Sequence, residues 1–295
     1  MAEPTLKFDV PKNLFPFQHR FITLENGARI HYVDEGTGPI LLLLHGNPTW
    51  SFLYRKVIGC LKNRFRCVAP DYPGFGLSVA PDGYTFTPHE HSLVVEEFVK
   101  RLGLNNLTIM VQDWGGPIAF GLAIRRPELV DRFIVGNTWA WPLSAHPRFI
   151  RFSRIMGGPL GRVAAYWFNG VVRFFMYKGI KTGLNSAEYD MYMAPFRNRS
   201  ERAPTHIFPY QIEHAEEYVA EIELNFETIA DRPALIIWGL KDFAFQRPER
   251  ERFQTLFREH EVVLLKGAGH FIQEDAAEEI CIAVHGWFPQ DKETW

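Results

Sequence analysis

Six short apolar runs punctuate the chain: PILLLLHG, FRCVAPDYPG, LTIMVQD, DRFIVGNT, PALIIWG and EVVLLKG. Continuous runs of this length suit strands covered on both faces, where neither side-chain direction meets water. Between them the apolar residues recur at helical spacing, over Trp50–Asn63, Thr87–Leu102, Gly115–Arg126, Pro248–Phe257 and Ala276–Phe288. Ahead of them RFITLENGARIHYVDEGTG alternates polar with apolar and turns at Asn26-Gly27, the pattern of a hairpin. Strand and helix therefore alternate, and the pattern predicts an α/β fold: a mostly parallel, doubly wound sheet of eight strands with helices on both faces.

One stretch breaks the alternation. From about Trp139 to Glu223 no buried strand is legible, and segments such as RVAAYWFNGVVRFFMYKG and EYDMYMAPFRN are aromatic, basic and rich in Met and Tyr. The expected organisation is a core built from residues 1–138 and 224–295, with a helical insertion at 139–223 after the sixth strand.

Composition narrows the partners. At 46% hydrophobic and 22% charged the chain reads as a soluble globular protein, while 25 Phe and 8 Trp point to an aromatic interior or pocket. A formal net charge of -2 offers no overall electrostatic footprint for nucleic acid or a charged membrane, so a small uncharged ligand is the expected partner. Cys60, Cys67 and Cys281 are odd in number and set in apolar segments, which reads as reduced core thiols in a cytoplasmic protein. The opening MAEPTLKFDVPKN lacks the basic end and long apolar stretch of a signal peptide.

Candidate chemistry lies where the apolar runs end. In open parallel sheets ligands sit beyond the carboxyl ends of the strands, and LTIMVQD ends there on Asp113, followed by Trp114-Gly115-Gly116 and a helix. A strand, a sharp turn and a helix make the setting of a nucleophile elbow, with an aspartate where serine is usual. Asp113 alone could equally be a helix N-cap. The later strand ends supply partners that a cap does not need: Asp242 after PALIIWG and His270 after EVVLLKG. An acid beside a histidine holds the imidazole in the tautomer that leaves one nitrogen free as a base. The turn after the sixth strand, Gly136-Asn137-Thr138, carries no carboxylate, which favours Asp242 as the acid. After the third strand comes His45-Gly46-Asn47-Pro48, where backbone N–H groups of Asn47 and Trp114 would form an oxyanion hole and His45 would tie down the loop. Both of those residues also carry side-chain N–H donors.

These residues resemble a known family. HGNPTWSFLYR, VQDWGGPIAFGLA, WGLKD and GAGHFIQED are similar to the motifs of haloalkane dehalogenases in the α/β-hydrolase superfamily, over about Asn26 to Phe288. The resemblance implies an α/β-hydrolase fold with a helical cap after strand 6. It implies a catalytic triad of Asp113 as nucleophile, His270 as base and Asp242 as acid, with halide held by the side chains of Asn47 and Trp114. The implied reaction takes a small apolar haloalkane and water to a primary or secondary alcohol and halide through an alkyl-aspartate ester, without metal or organic cofactor. Trp167, or an aromatic from Trp139 to Trp141, could share the pocket.

Alternatives stay open at this stage. Epoxide hydrolases use the same Asp, His and acid, and protonate the leaving oxygen from cap tyrosines; the insertion offers Tyr166, Tyr177, Tyr189, Tyr192, Tyr210 and Tyr218. Asn47 discriminates, since that family usually carries an aromatic there. Luciferases of the coelenterazine type resemble the dehalogenases in these motifs, and a non-catalytic ligand-binding protein could keep the pocket. His89 and His91, two apart on a predicted helix, do not face each other as metal ligands would.

Overall fold

A computed structural model describes residues 6–288. Within them lie β1 (Arg20–Thr23), β2 (Arg29–Glu35), β3 (Ile40–Leu44), β4 (Arg66–Pro70), β5 (Leu107–Asp113), β6 (Val130–Thr138), β7 (Ala234–Gly239) and β8 (His260–Leu265). They form one sheet in the order β1-β2-β4-β3-β5-β6-β7-β8. From β4 to β8 neighbours run parallel, while β2 pairs antiparallel with both β1 and β4. This is the mostly parallel, doubly wound sheet of eight strands that the apolar runs and the hairpin predict.

The physical reason is visible in β5. All seven of its residues are buried, so both faces of the sheet are covered there and no polar alternation is tolerated. The helices α1 (Arg55–Leu61), α2 (Pro88–Arg101), α3 (Gly115–Arg125), α10 (Arg247–Leu256) and α12 (Ala277–Trp287) fall on the five stretches with helical spacing. Thr87 caps α2 by accepting the Glu90 N–H, with Pro88 at the first helical position. A four-residue helix, α11 (Ile272–Asp275), follows His270; it is too short to leave a periodic signal.

Between β6 and β7 the chain forms α4 (Pro147–Met156), α5 (Pro159–Phe168), α6 (Gly170–Gly179), α7 (Ser186–Met193), α8 (Ala203–His214) and α9 (Glu216–Asn225). The residue 223 at which the sequence pattern changes lies inside α9, which packs on α3. A largely buried network ties α7 to α1 and α11: Arg55 donates to Glu188 at 2.7 Å and to Glu274 at 3.0 Å, and the Tyr192 hydroxyl also donates to Glu274. Removing one member of such a cluster would leave a buried charge without its partner.

The cysteines depart from expectation. Cys60 is exposed at the end of α1 and joined in a disulfide to Cys281 of α12, with Cα atoms 6.4 Å apart; Cys67 alone is buried and free. Their sequence separation of 221 hides the pairing, which exists only because α1 packs on α12.

Candidate active site

Asp113 closes β5 in a left-handed backbone conformation, φ 52°, which a non-glycine residue adopts only under constraint. The constraint is packing: a Cβ on Gly115 would strike the Leu44 carbonyl, and one on Gly116 would strike Thr138. Strand and helix can approach this closely because both positions are glycine. Helix α3 is capped by Trp114 and not by Asp113, so the reading of Asp113 as a simple N-cap does not hold. Its carboxylate instead accepts the Asn47 backbone N–H at 2.8 Å through Oδ1, and Oδ2 lies 3.4 Å from His270 Nε2.

His270 follows β8 and is fully buried. Its Nδ1 lies 3.0 Å and 3.2 Å from the two oxygens of Asp242. Burial pulls the imidazole down, but the flanking Asp242 and Asp113 carboxylates outweigh it and raise it to about 10. The rings of Phe271, Phe243, Phe175 and Phe245 surround it at centroid distances of 4.8 to 5.9 Å, which makes its surroundings apolar. The acid, the histidine and Asp113, distant in sequence, therefore meet at the carboxyl ends of β7, β8 and β5.

The two donor candidates line the cavity above Asp113. Trp114 is buried, packs edge-on against Trp139 at 4.6 Å, and its indole N–H makes no hydrogen bond among the described residues. The Asn47 side-chain amide reaches the Thr205 carbonyl of α8 at 3.3 Å, a long contact that occupies one of its two hydrogens. His45 lies between the Gly46 carbonyl and the Tyr72 backbone N–H; burial drives it down to about 4, so it is neutral and fastens the loop.

The cavity measures about 150 Å³. Its walls are Trp139, Phe149, Phe152, Phe175, Ile212 and Phe245, with Arg148 at one side, held by Gln246 and Glu249. Of the aromatics suggested from sequence only Trp139 lines it. Trp141 packs under Arg252 and against Phe253, and Trp167 is half exposed on the outer face of α5. No tyrosine lines the cavity among the described residues. The Tyr192 and Tyr218 hydroxyls are bonded to Glu274 and to the Pro117 carbonyl, and Tyr166 and Tyr177 face outward.

Three residues of the site escape a reading by residue type. Asn137 is the bulged residue of β6, since Gln112 pairs with Gly136 and Asp113 with Thr138; at φ 41° its side chain turns to Asp242. Thr138 donates its hydroxyl to the Asp113 carbonyl at 2.5 Å. Gln112, fully buried, places its amide nitrogen 3.1 Å from both His270 Nε2 and the His270 carbonyl. The Gly-Asn-Thr turn and the Gln before Asp113 were the available signals, polar residues at the end of otherwise apolar strands.

Comparison with known proteins sets this geometry in context. Residues 39–277 match the α/β-hydrolase fold family. The chain is 43% identical to Haloalkane dehalogenase 2 of Mycobacterium tuberculosis over 95% of its own length and 98% of that protein's. It is 34% identical to a cis-3-alkyl-4-alkyloxetan-2-one decarboxylase of Shewanella oneidensis, over 90% and 87%. Among solved structures, haloalkane dehalogenase DbeA from Bradyrhizobium elkani superposes with a TM-score of 0.83 at 25% identity, covering 91% of this chain and 96% of DbeA.

Proposed function

The chain belongs to the haloalkane dehalogenase family of the α/β-hydrolases, and on that premise we propose that it releases halide from small apolar haloalkanes through an alkyl ester on Asp113. The observation that carries this reading is the Asp113 carboxylate itself, held by the Asn47 N–H on one oxygen and facing His270 with the other, at the floor of an apolar cavity.

A carboxylate ionised at neutral pH attacks saturated carbon without a general base. One Asp113 oxygen forms the C–O bond, the C–X bond breaks, and X⁻ leaves toward the Trp114 indole N–H and the Asn47 amide. The product is a neutral ester. Loss of the Asp113 charge removes one of the two carboxylates that raise His270, so its pKa falls and the imidazole gives up a proton. Neutral His270 then takes a proton from water, which attacks the Asp113 carboxyl carbon. The oxyanion lies against the backbone N–H groups of Asn47 and Trp114, where one donor contributes about 3 kcal/mol in other enzymes. Cleavage of the bond between the Asp113 carboxyl carbon and the alkyl oxygen expels that oxygen, which takes the second proton of the attacking water, so the alcohol leaves and the carboxylate and the imidazolium are restored.

The helical segment 139–223 acts as a cap in this reading, since Phe149, Phe152, Phe175 and Ile212 from it wall the cavity. An apolar cavity of this size accepts a benzene-sized molecule, which supports a short haloalkane. The lack of a cavity tyrosine disfavours epoxide opening, whose alkoxide needs an acid. The test is halide release from purified protein across short bromo- and chloroalkanes, run beside styrene oxide and a cis-3,4-dialkyloxetan-2-one. Bromide release with the other two untouched is the expected result; no halide from any alkane, with opening of the epoxide or decarboxylation of the lactone, overturns the assignment.

A further inference from the structure

Helix α5 is inside out. Its buried positions are the small Gly161 and Ala165, while Leu160, Val163, Tyr166, Trp167 and Phe168 are 83%, 51%, 45%, 51% and 69% exposed. A contiguous set of large apolar side chains held in water marks an interaction surface, because nothing in the fold is gained by leaving them there.

The same face is cationic. Residues 148 to 202 contain ten Arg and Lys against three acids, and although Arg148 and Arg154 are paired with Glu249 and Glu213 outside this segment, the arginines beside α5 are not. Arg199 stacks on Trp167 at 3.8 Å. A surface depression of about 580 Å³ lies beside them, lined by Trp167, Phe168, Arg173, Arg197 and Arg202. Arg173, Arg197 and Arg199 pair with no carboxylate among the described residues. Arg202 spends its hydrogen bonds on the Phe196, Tyr166 and Arg197 carbonyls, and its pKa is pushed down by burial and by the neighbouring Arg199 and Arg173.

We infer that the outer face of α5 docks on an anionic lipid surface, with Leu160, Trp167 and Phe168 entering the interface and Arg173, Arg197 and Arg199 meeting lipid phosphates. Aromatic and leucine side chains beside arginine are the composition that lies in the plane of a bilayer interface. Each arginine near such a surface adds to binding through its attraction to acidic headgroups. Net charge alone does not suggest such a partner, and the expectation drawn from it is the result that the experiment below sets against this inference. Helix α5 also packs against α4 and α6, which carry Phe149, Phe152 and Phe175 of the cavity. Docking would then hold the cavity close to where apolar substrates concentrate, a consequence that rests on the proposed dehalogenase reading.

The test uses the full-length protein and needs no substrate. Co-sedimentation is measured with mixed phosphatidylcholine–phosphatidylglycerol vesicles and with pure phosphatidylcholine vesicles. The expected result is binding about tenfold or more stronger to the anionic vesicles, weakened by high salt. Leu160→Gln, Trp167→Gln and Phe168→Gln combined should abolish it, and Arg173→Gln with Arg197→Gln should remove the preference for anionic lipid. Unchanged near-ultraviolet circular dichroism establishes that each variant is folded. Absence of binding to anionic vesicles, binding by the triple variant equal to the parent, or a dimer that the triple variant dissociates without any vesicle binding would overturn the inference.

Discussion

Asn137 donates its side-chain N–H to Asp242 Oδ2 at 2.7 Å while its own Oδ1 accepts the Gly239 backbone N–H at 2.8 Å. One residue, turned out of β6 by a bulge, thus fixes both the end of β7 and the carboxylate beside His270. Asp242 has three sets of partners, Asn137, the Ala244 N–H at 2.7 Å and His270, which together hold the buried carboxyl group in one orientation.

Asn137→Ala should therefore act on His270 through Asp242. Removing a donor from a buried carboxylate costs about 1–3 kcal/mol of stability. In the proposed cycle it should slow ester hydrolysis more than ester formation, so the ester accumulates relative to the parent. Thermal unfolding together with rapid-quench single turnover checks both effects; equal slowing of the two steps would assign Asn137 a purely structural part.

Trp114→Phe keeps a ring in the cavity wall and removes an indole N–H that makes no hydrogen bond among the described residues. If that N–H receives the departing halide, ester formation should slow by about ten- to a hundredfold, the equivalent of roughly 1.5–3 kcal/mol for a hydrogen bond to a charged group. Ester hydrolysis, where the ring N–H has no part, should change little. Halide-burst and alcohol-release rates separate the two.

The pH dependence has a definite sign. His270 stands at about 10 while both carboxylates are charged, and must be neutral to activate water. Esterification of Asp113 removes one negative neighbour, so the hydrolytic step should rise with pH and level off at an apparent pKa below 10, whereas ester formation stays flat through the neutral range. Asp242→Asn should move the hydrolytic limb to still lower pH. A dye-detected proton should appear with the halide rather than with the alcohol.

His270→Phe leaves the nucleophile and removes the base. Mass spectrometry should find one alkyl group on the peptide containing Asp113 after exposure to 1-bromobutane, with one equivalent of bromide and no turnover. Continued turnover by this variant would assign water activation to another group, with the Asp242 carboxylate the nearest basic neighbour of the His270 position.

The parts of the molecule legible beforehand are those governed by local burial. β3 through β7 announce themselves because strands covered on both faces are unbroken apolar runs, while β8 keeps an apolar run although it is only partly buried, and Asp113, Asp242 and His270 stand out because each closes such a run or lies in the turn just after one. What stayed hidden depends on pairing across the chain. The Asn137 bulge exists only in register with β5, the Cys60–Cys281 link only in the packing of α1 on α12, and the outward turn of Trp167 only because Gly161 and Ala165 take the buried side of α5.

The central claim, that the reaction passes through an ester on Asp113, is tested most directly by a single turnover in ¹⁸O water with enzyme in excess over 1-bromobutane. Attack of water at the carboxyl carbon predicts ¹⁸O in the Asp113 carboxylate and an unlabelled alcohol, whose oxygen came from Asp113. Labelled alcohol with an unlabelled Asp113 would mean that water attacks the substrate carbon directly and would contradict the account.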